Sequence, residues 1–410
     1  MKEEVDLLIK NARLINREKV TDIAIKDEKI IVVGEEINLP AKLKLDVAGK
    51  LTIPGFIDSH MHLDHACLGG DAKWISRTHE ESEKIIRKER QSIDSEGVKE
   101  VARKAALTLL KKSTTAVRTH VNVDASFGLR ELKSMLEFKN ECVDWMDLQL
   151  VAFPSREPLT RSSESESLLK QAMKLGADVV GGLPNIDPDP EGYLDIIFDV
   201  AKRHKAKIDL HVDETNDPKS KVLELYAEKT LENGYGGMVV ASHCSALSAY
   251  SWENARRVIE KVREAEMSII ANPFTNIYIL GRDGKPNGIT RVKDLLDSGV
   301  NVTYATDNFN DAYNPLGNGD MLLAALFLAY HQRLEGKRAF STLLEMGTTV
   351  AAETTGIIKN YGIKESGRAD LVILEAETPW EAIVFQPRRC FVIKRGKIVV
   401  KNGENVKSPL

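Results

Sequence analysis

From residue 56 to about residue 310 the sequence keeps returning to one alternation. A short apolar, β-branched run is followed by a longer charged stretch whose apolar residues recur at helical spacing. The runs are GFIDSHMH, TTAVRTHVNV, DLQLVAFP, DVVGGLPN, KIDLHVDET, MVVASHCS, SIIANPFTN and NVTYATDNF, and the stretches between them include SLLKQAMKLGA, YLDIIFDVAKRHKA, ENARRVIEKVREAE and RVKDLLDSG. Continuous apolar runs of this length fit buried strands, and the 3.6-residue period fits amphipathic helices. Strands that alternate with helices pair in parallel, and eight of them imply a closed (β/α)₈ barrel of the TIM type. An open doubly wound sheet is the competing architecture, but no GxGxxG follows the first run.

The two ends read differently. VDLLIKNARLI, DIAIKDEKIIVVG and LDVAGKLTIPG at the start, with ADLVILEAE and RCFVIKRGKIVVKNG at the end, are short strands bounded by Gly, Asn and charged turns. Neither end has enough strands to bury a core alone, so the economical expectation is one small sheet built from both. Residues 1–53 and 363–410 then form a discontinuous small domain, and 54–362 form the barrel.

Composition excludes several functions. Lysine plus arginine (57) nearly balance aspartate plus glutamate (61), for a net charge of -4, which gives no reason to expect nucleic acid or an anionic membrane as partner. Cys67, Cys142, Cys244 and Cys390 are widely spaced with no CxxC pair, so neither a zinc ribbon nor a disulfide framework is predicted, and a reducing cytoplasm is the expected compartment. The polar N-terminus does not read as a signal peptide, and no apolar run reaches membrane-spanning length.

The reactive side chains sit on the strand runs: His60 and His62 on the first, His120 on the second, His211 and Glu214 on the fifth, His243 on the sixth, Asn272 on the seventh and Asp307 on the eighth. Each falls at or just past the C-terminal half of its run, and in a parallel barrel these ends converge on the face where active sites are built. His60 and His62, two apart on a strand, point to one side; His211 adds a third imidazole and Asp307 a carboxylate. Three nitrogens and one oxygen suit Zn²⁺ or Fe²⁺, and such an ion lowers the pKa of bound water from about 15.7 toward about 7. Glu214 is placed to shuttle protons and His243 to polarise the attacked group. The fourth run offers no lysine of the kind that bridges two metals in binuclear barrel hydrolases, so a single ion is expected. Asp64, His65 and Arg282 are further pocket candidates, His65 at the rim. His79, His204 and His331 lie in charged or helical stretches and are expected at the surface. RSSESES reads as a solvated loop or helix start.

The ordered words PGFIDSHMHLD, VRTHVNVD, DLQLVAFP, LGADVVGGLP, IDLHVDE, ASHC, ANPFTNIYILGR, GITRVKDLLDSGVNV and YNPLGNGDML resemble the amidohydrolase superfamily, and within it the cytosine deaminase branch, over nearly the full length. The resemblance implies a barrel with a small β-sandwich, and one divalent metal, zinc or iron, held by His60, His62, His211 and Asp307. It implies Glu214 as proton shuttle, His243 as stabiliser of the hydrated intermediate, and hydrolytic deamination of a small heterocyclic cyclic amidine; relatives of this branch are often homo-oligomers. The substrate layer departs from that pattern. Ser155 stands where the branch has a glutamine, Asn308 where it has an aspartate, and Tyr313 where it has a tryptophan. With His120, these are the expected substrate contacts. A serine hydroxyl cannot offer the paired donor and acceptor of a carboxamide, so a relative of cytosine, rather than cytosine itself, is the expected substrate. Release of an alkylamine from a triazine-like ring, or opening of a cyclic amide, is the alternative.

Overall fold

The computed structural model describes residues 4–68, 76, 78–155, 157–281 and 288–406. The N-terminal segment carries β1 (Val5–Ala12), β2 (Thr21–Lys26), β3 (Lys29–Gly34), β4 (Ala41–Asp46) and β5 (Thr52–Pro54). Eight strands follow: β6 (Phe56–Met61), β7 (Thr114–Asn122), β8 (Asp147–Phe153), β9 (Val179–Gly182), β10 (Lys207–Val212), β11 (Val239–His243), β12 (Ser268–Ala271) and β13 (Asn301–Tyr304). Helices α1 (His79–Ser92), α2 (Ser95–Lys111), α3 (Arg130–Glu141), α4 (Ser163–Leu175), α5 (Pro190–His204), α6 (Val222–Glu232), α7 (Trp252–Glu264), α8 (Pro273–Leu280), α9 (Val292–Asp297), α10 (Met321–Gln332), α11 (Lys337–Met346) and α12 (Thr349–Thr355) are interleaved with or follow them. The tail adds β14 (Leu371–Leu374), α13 (Pro379–Val384), β15 (Arg389–Lys394), β16 (Lys397–Lys401) and β17 (Glu404–Asn405).

Strands β6 to β13 form one parallel sheet in chain order, as the alternation predicts. Between β13 and β6 the sheet closes through other groups. The Asp307 N–H donates to the His60 carbonyl at 3.0 Å, and the Ser59 hydroxyl donates to the Tyr304 carbonyl at 3.3 Å. The wholly buried Asp58 carboxylate accepts the Thr306 N–H at 3.1 Å and the Thr306 hydroxyl. The predicted loop-or-helix start RSSESES resolves as the beginning of α4, where the Ser162 hydroxyl caps the Ser165 N–H at 3.2 Å.

The terminal segments form two sheets rather than the single one the strand pattern suggested: β3-β2-β1-β4, and β17-β16-β15-β14-β5. Leu7, Ile9, Ile23 and Ile25 of the first share a core with Leu371, Ile373 and Ile393 of the second. A single sheet would leave that apolar face in water, whereas facing sheets bury it. The result is the β-sandwich implied by the resemblance. Strand β5 crosses from the N-terminal segment to pair with β14, and the chain then enters β6 directly. Lys394, wholly buried, pairs with Asp370 at 2.8 Å and with Asp147 at the start of β8, bonding the tail sheet to the base of the barrel.

On β9 the barrel interior has no room for a side chain. A Cβ at Gly181 would lie 2.6 Å from Val151 Cγ1 and 2.8 Å from the Ala152 carbonyl oxygen. The fourth strand is therefore closed to any ligand side chain at this position. Gly181→Ala should cost about 1–3 kcal/mol of stability through overpacking, read as a lower midpoint in urea with unchanged slope; an unaffected midpoint would mean the strands separate freely here.

Candidate active site

The residues at the strand ends converge on a cavity of about 230 Å³ at the C-terminal face of the barrel, lined by His62, His211, Glu214, His243, Asp307, Asn308, Ser155 and Tyr313 among others. Local backbone geometry aims them. Asp213, His243 and Asp307 all have positive φ (49°, 70° and 59°), so the chain turns sharply as it leaves β10, ends β11 and leaves β13. Non-glycine residues in this region are costly and persist where the surroundings hold them. At Asp213 the hold is visible: its N–H donates to Asn185 Oδ1 at 2.8 Å, and its carboxylate accepts the Leu223 N–H at 2.9 Å and Asn185 Nδ2 at 2.9 Å. Glu214, the next residue, is thereby turned into the cavity.

Four donor groups meet at the cavity floor. His60 Nε2 and His62 Nε2 each lie 3.6 Å from Asp307 Oδ1, and His62 Nε2 lies 3.3 Å from His211 Nε2. Both Asp307 oxygens and His60 Nε2 are buried without a hydrogen-bond partner. An unpaired buried carboxylate is expensive, and lone pairs facing one another repel. Ligand atoms about 2.1 Å from a common centre in tetrahedral array stand about 3.4 Å apart, so the observed spacings fit a shared cation. Burial holds His60, His62 and His211 well below the ordinary imidazole value, with repulsion from neighbouring imidazoles adding to it, so the rings are neutral and keep lone pairs for a metal. Burial, and then the nearby Glu214, push Asp307 well above the carboxylate range. The buried His/Asp cluster can bind a metal ion.

Above this floor, Glu214 Oε1 lies 3.2 Å from His243 Nδ1. Burial raises the Glu214 carboxyl to about 8 and lowers His243 to about 3. Asn276 Nδ2 contacts His243 Nδ1 at 3.0 Å and Glu214 Oε1 at 3.3 Å, and Asn272 Nδ2 lies 3.2 Å from His243 Nε2. Asn276 lies one turn into α8, away from the strand ends at which the sequence pattern places reactive groups. The Phe153 ring stacks on His211 at 4.3 Å between centroids.

Other expected residues fall into place differently. His120 is wholly buried beneath His60, ring centroids 4.1 Å apart, and is not on the cavity wall where a substrate contact would be. His65 is buried in that wall rather than at its rim, and its Nδ1 is 3.0 Å from Asp64 Oδ1. Asp64 also accepts Asn122 Nδ2 at 3.2 Å, and Asn122 Oδ1 accepts the Ser155 hydroxyl at 2.6 Å. Asn308 Nδ2 donates to Asp311 Oδ2 at 3.0 Å. His79 and His331 are exposed and His204 is half-buried, but His79 stands at the cavity mouth with its ring 5.2 Å from that of Tyr313. Arg282 lies outside the described residues. No helix among the described residues is long and apolar enough to cross a membrane.

Fold and site together fit a barrel hydrolase with a buried cluster able to bind a metal ion, and the comparisons agree on the family. The model of the Amidohydrolase family matches residues 71–406, and the chain belongs to that family. It is 33% identical to N-isopropylammelide isopropyl amidohydrolase of Pseudomonas sp. (strain ADP), over 98% of this chain and 99% of that one. The crystal structure of 5-methylcytosine deaminase from Klebsiella pneumoniae superposes with a TM-score of 0.90 at 31% identity, covering 98% of this chain and 99% of that one. N-isopropylammelide isopropylaminohydrolase from Burkholderia multivorans ATCC 17616 superposes with a TM-score of 0.87 at 28% identity, covering 98% and 99%. The chain is therefore a hydrolase of carbon–nitrogen bonds of the deaminase and amidohydrolase kind.

The strained floor yields a direct test. With chelator present, Asp307→Asn should melt at or above the parent, because it removes a buried unpaired carboxylate. Zinc at a hundred times its Kd should add about 2.7 kcal/mol to the parent and far less to the variant. Equal gains in both proteins, read from thermal melts with EDTA and with zinc, would remove Asp307 from the donor set.

Proposed function

We propose that this protein hydrolytically removes an exocyclic nitrogen from a small cytosine-like or triazine-like ring, using one Zn²⁺ or Fe²⁺ held by His60, His62, His211 and Asp307. The observation that carries this reading is the shared cavity. A set of unpaired donors lies at its floor, and the Glu214–His243 pair faces the same space. The ion, when bound, supplies Lewis acidity and brings water toward hydroxide at neutral pH.

The protein's own groups do the rest. Glu214, with its carboxyl raised to about 8 by burial, is suited to take a proton from the attacking water and return it to the leaving nitrogen. Water adds its oxygen to the ring carbon, the bond from that carbon to the exocyclic nitrogen breaks, and the nitrogen departs as ammonia or as an amine. His243, kept neutral, can donate to the oxygen on which charge develops, with Asn272 and Asn276 holding its ring. Asp307 assists proton movement from the floor.

Substrate preference is set on the opposite wall. The Ser155 hydroxyl proton is committed to Asn122, and Asn122 is anchored on Asp64. Toward the cavity Ser155 therefore presents lone pairs, which suit a ring N–H flanked by carbonyl groups better than the mixed edge of cytosine. That favours the oxo-rich heterocycles of which the N-isopropylammelide relative is one example.

A panel of cytosine, 5-methylcytosine, isocytosine, creatinine and alkylaminotriazinones, assayed for both ammonia and alkylamine release, tests the reading. At least one ring with an N–H flanked by two carbonyl groups should outperform cytosine, and Ser155→Gln should raise kcat/KM for cytosine by about tenfold or more. No release from any member contradicts the proposal, and cytosine as the best substrate contradicts the role given to Ser155.

A further inference from the structure

Beneath the cavity, one polar chain runs from the donor cluster to the base of the barrel. His60 Nδ1 lies 3.0 Å from the Ser242 hydroxyl, which donates to Asp209 Oδ1 at 2.8 Å. Asp209 Oδ2 accepts Arg118 Nη1 at 2.7 Å. Arg118 Nε donates to Gln149 Oε1 at 2.7 Å and Nη2 to the Thr355 carbonyl at 2.9 Å. His60, Ser242, Asp209 and Arg118 are all wholly buried. Strand register creates the arrangement: Ser242 of β11 pairs opposite His211 of β10, and Asp209 sits two residues before His211 on the same face of β10.

A serine hydroxyl has one proton. Asp209, paired with a guanidinium that stays charged, is acceptor-only and takes that proton. Ser242 Oγ must then accept from His60 Nδ1–H, which leaves Nε2 with its lone pair directed at Asp307 Oδ1, 3.6 Å away. The Nδ1 atoms of His62 and His211 are buried without a hydrogen-bond partner, so among the described residues His60 alone of the three imidazoles is oriented this way from behind.

We propose that Ser242 is a positioning residue: its hydroxyl relays between Asp209 and His60, fixing the tautomer and ring orientation of the one pre-set metal ligand. Arg118, held through β8, β10 and the end of α12, keeps Asp209 from turning away. The inference rests on His60 being a ligand, as proposed above. Outer partners of this kind typically change metal affinity by about 10- to 100-fold when removed.

The test is zinc affinity, measured on the full chain by competition with a fluorescent chelator. Ser242→Ala should bind zinc about 10- to 100-fold more weakly than the wild type, while Thr230→Val, which removes a wholly buried hydroxyl that donates to the Tyr226 carbonyl within α6, should leave affinity unchanged. An unchanged Ser242→Ala, or equal losses in both variants, overturns the relay. A wild type that takes up no zinc overturns the metal reading, and the relay with it. A second measurement needs no variant: ¹⁵N-histidine NMR of the zinc-loaded protein should show His60 protonated at Nδ1, and protonation at Nε2 would overturn the proposal.

Discussion

Everything at the cavity depends on the seam where the last barrel strand meets the first. β6 supplies His60 and leads into His62, and Asp307 follows β13, so the donor cluster exists only if those two ends are joined. The join is made by few groups: the Asp307 N–H on the His60 carbonyl, the Ser59 hydroxyl on the Tyr304 carbonyl, and Asp58 gripping Thr306. Two residues that meet at the cavity floor are thus bonded to each other through their backbones as well. Burial raises Asp58 to about 6, a sign of how dry this seam is. The closure also forces the positive φ at Asp307 that turns its carboxylate inward.

The same dryness organises the chemistry. A low-dielectric floor keeps imidazoles neutral and makes an unpaired carboxylate costly, which are the conditions under which a divalent cation binds tightly. One layer up, burial shifts Glu214 upward and His243 downward, so that a carboxyl that titrates near neutral pH stands beside an imidazole that stays neutral. One layer down, Arg118 and Asp209 satisfy each other and close the barrel base. Polar residues therefore stack in three tiers inside the barrel beside a small apolar cluster of Val240, Ile270 and Ala305, while the main apolar core lies under the helices.

Much of this was legible in the sequence because period and position carry it. Eight apolar runs separated by amphipathic stretches specify a parallel barrel, and polar residues at the ends of those runs must share its C-terminal face. His60, His62, His211, Glu214, His243 and Asp307 were found that way. The pattern was silent where the partner is decided by register between strands. Ser242 and Asp209 look like ordinary strand residues until β10 and β11 are paired, and Asn276 is hidden in a helix. Ser155 could be flagged as a departure, but the direction of its hydroxyl depends on Asn122 and Asp64, which no local spacing reveals. His120 failed as a wall residue because alternation along β7 gives the face of a side chain and not its depth. The terminal strands were visible, whereas their division into two sheets depends on β5 crossing to β14.

The proposed reaction requires Glu214 to carry the proton while the metal is held independently of it. The most direct measurement is metal content and turnover of Glu214→Gln beside the wild type, on whichever substrate the panel selects. About one zinc or iron per chain is expected in both proteins, with kcat in the variant lower by a factor of about 10² to 10⁴. Undiminished turnover in Glu214→Gln, or turnover by a folded protein stripped of metal, would contradict it.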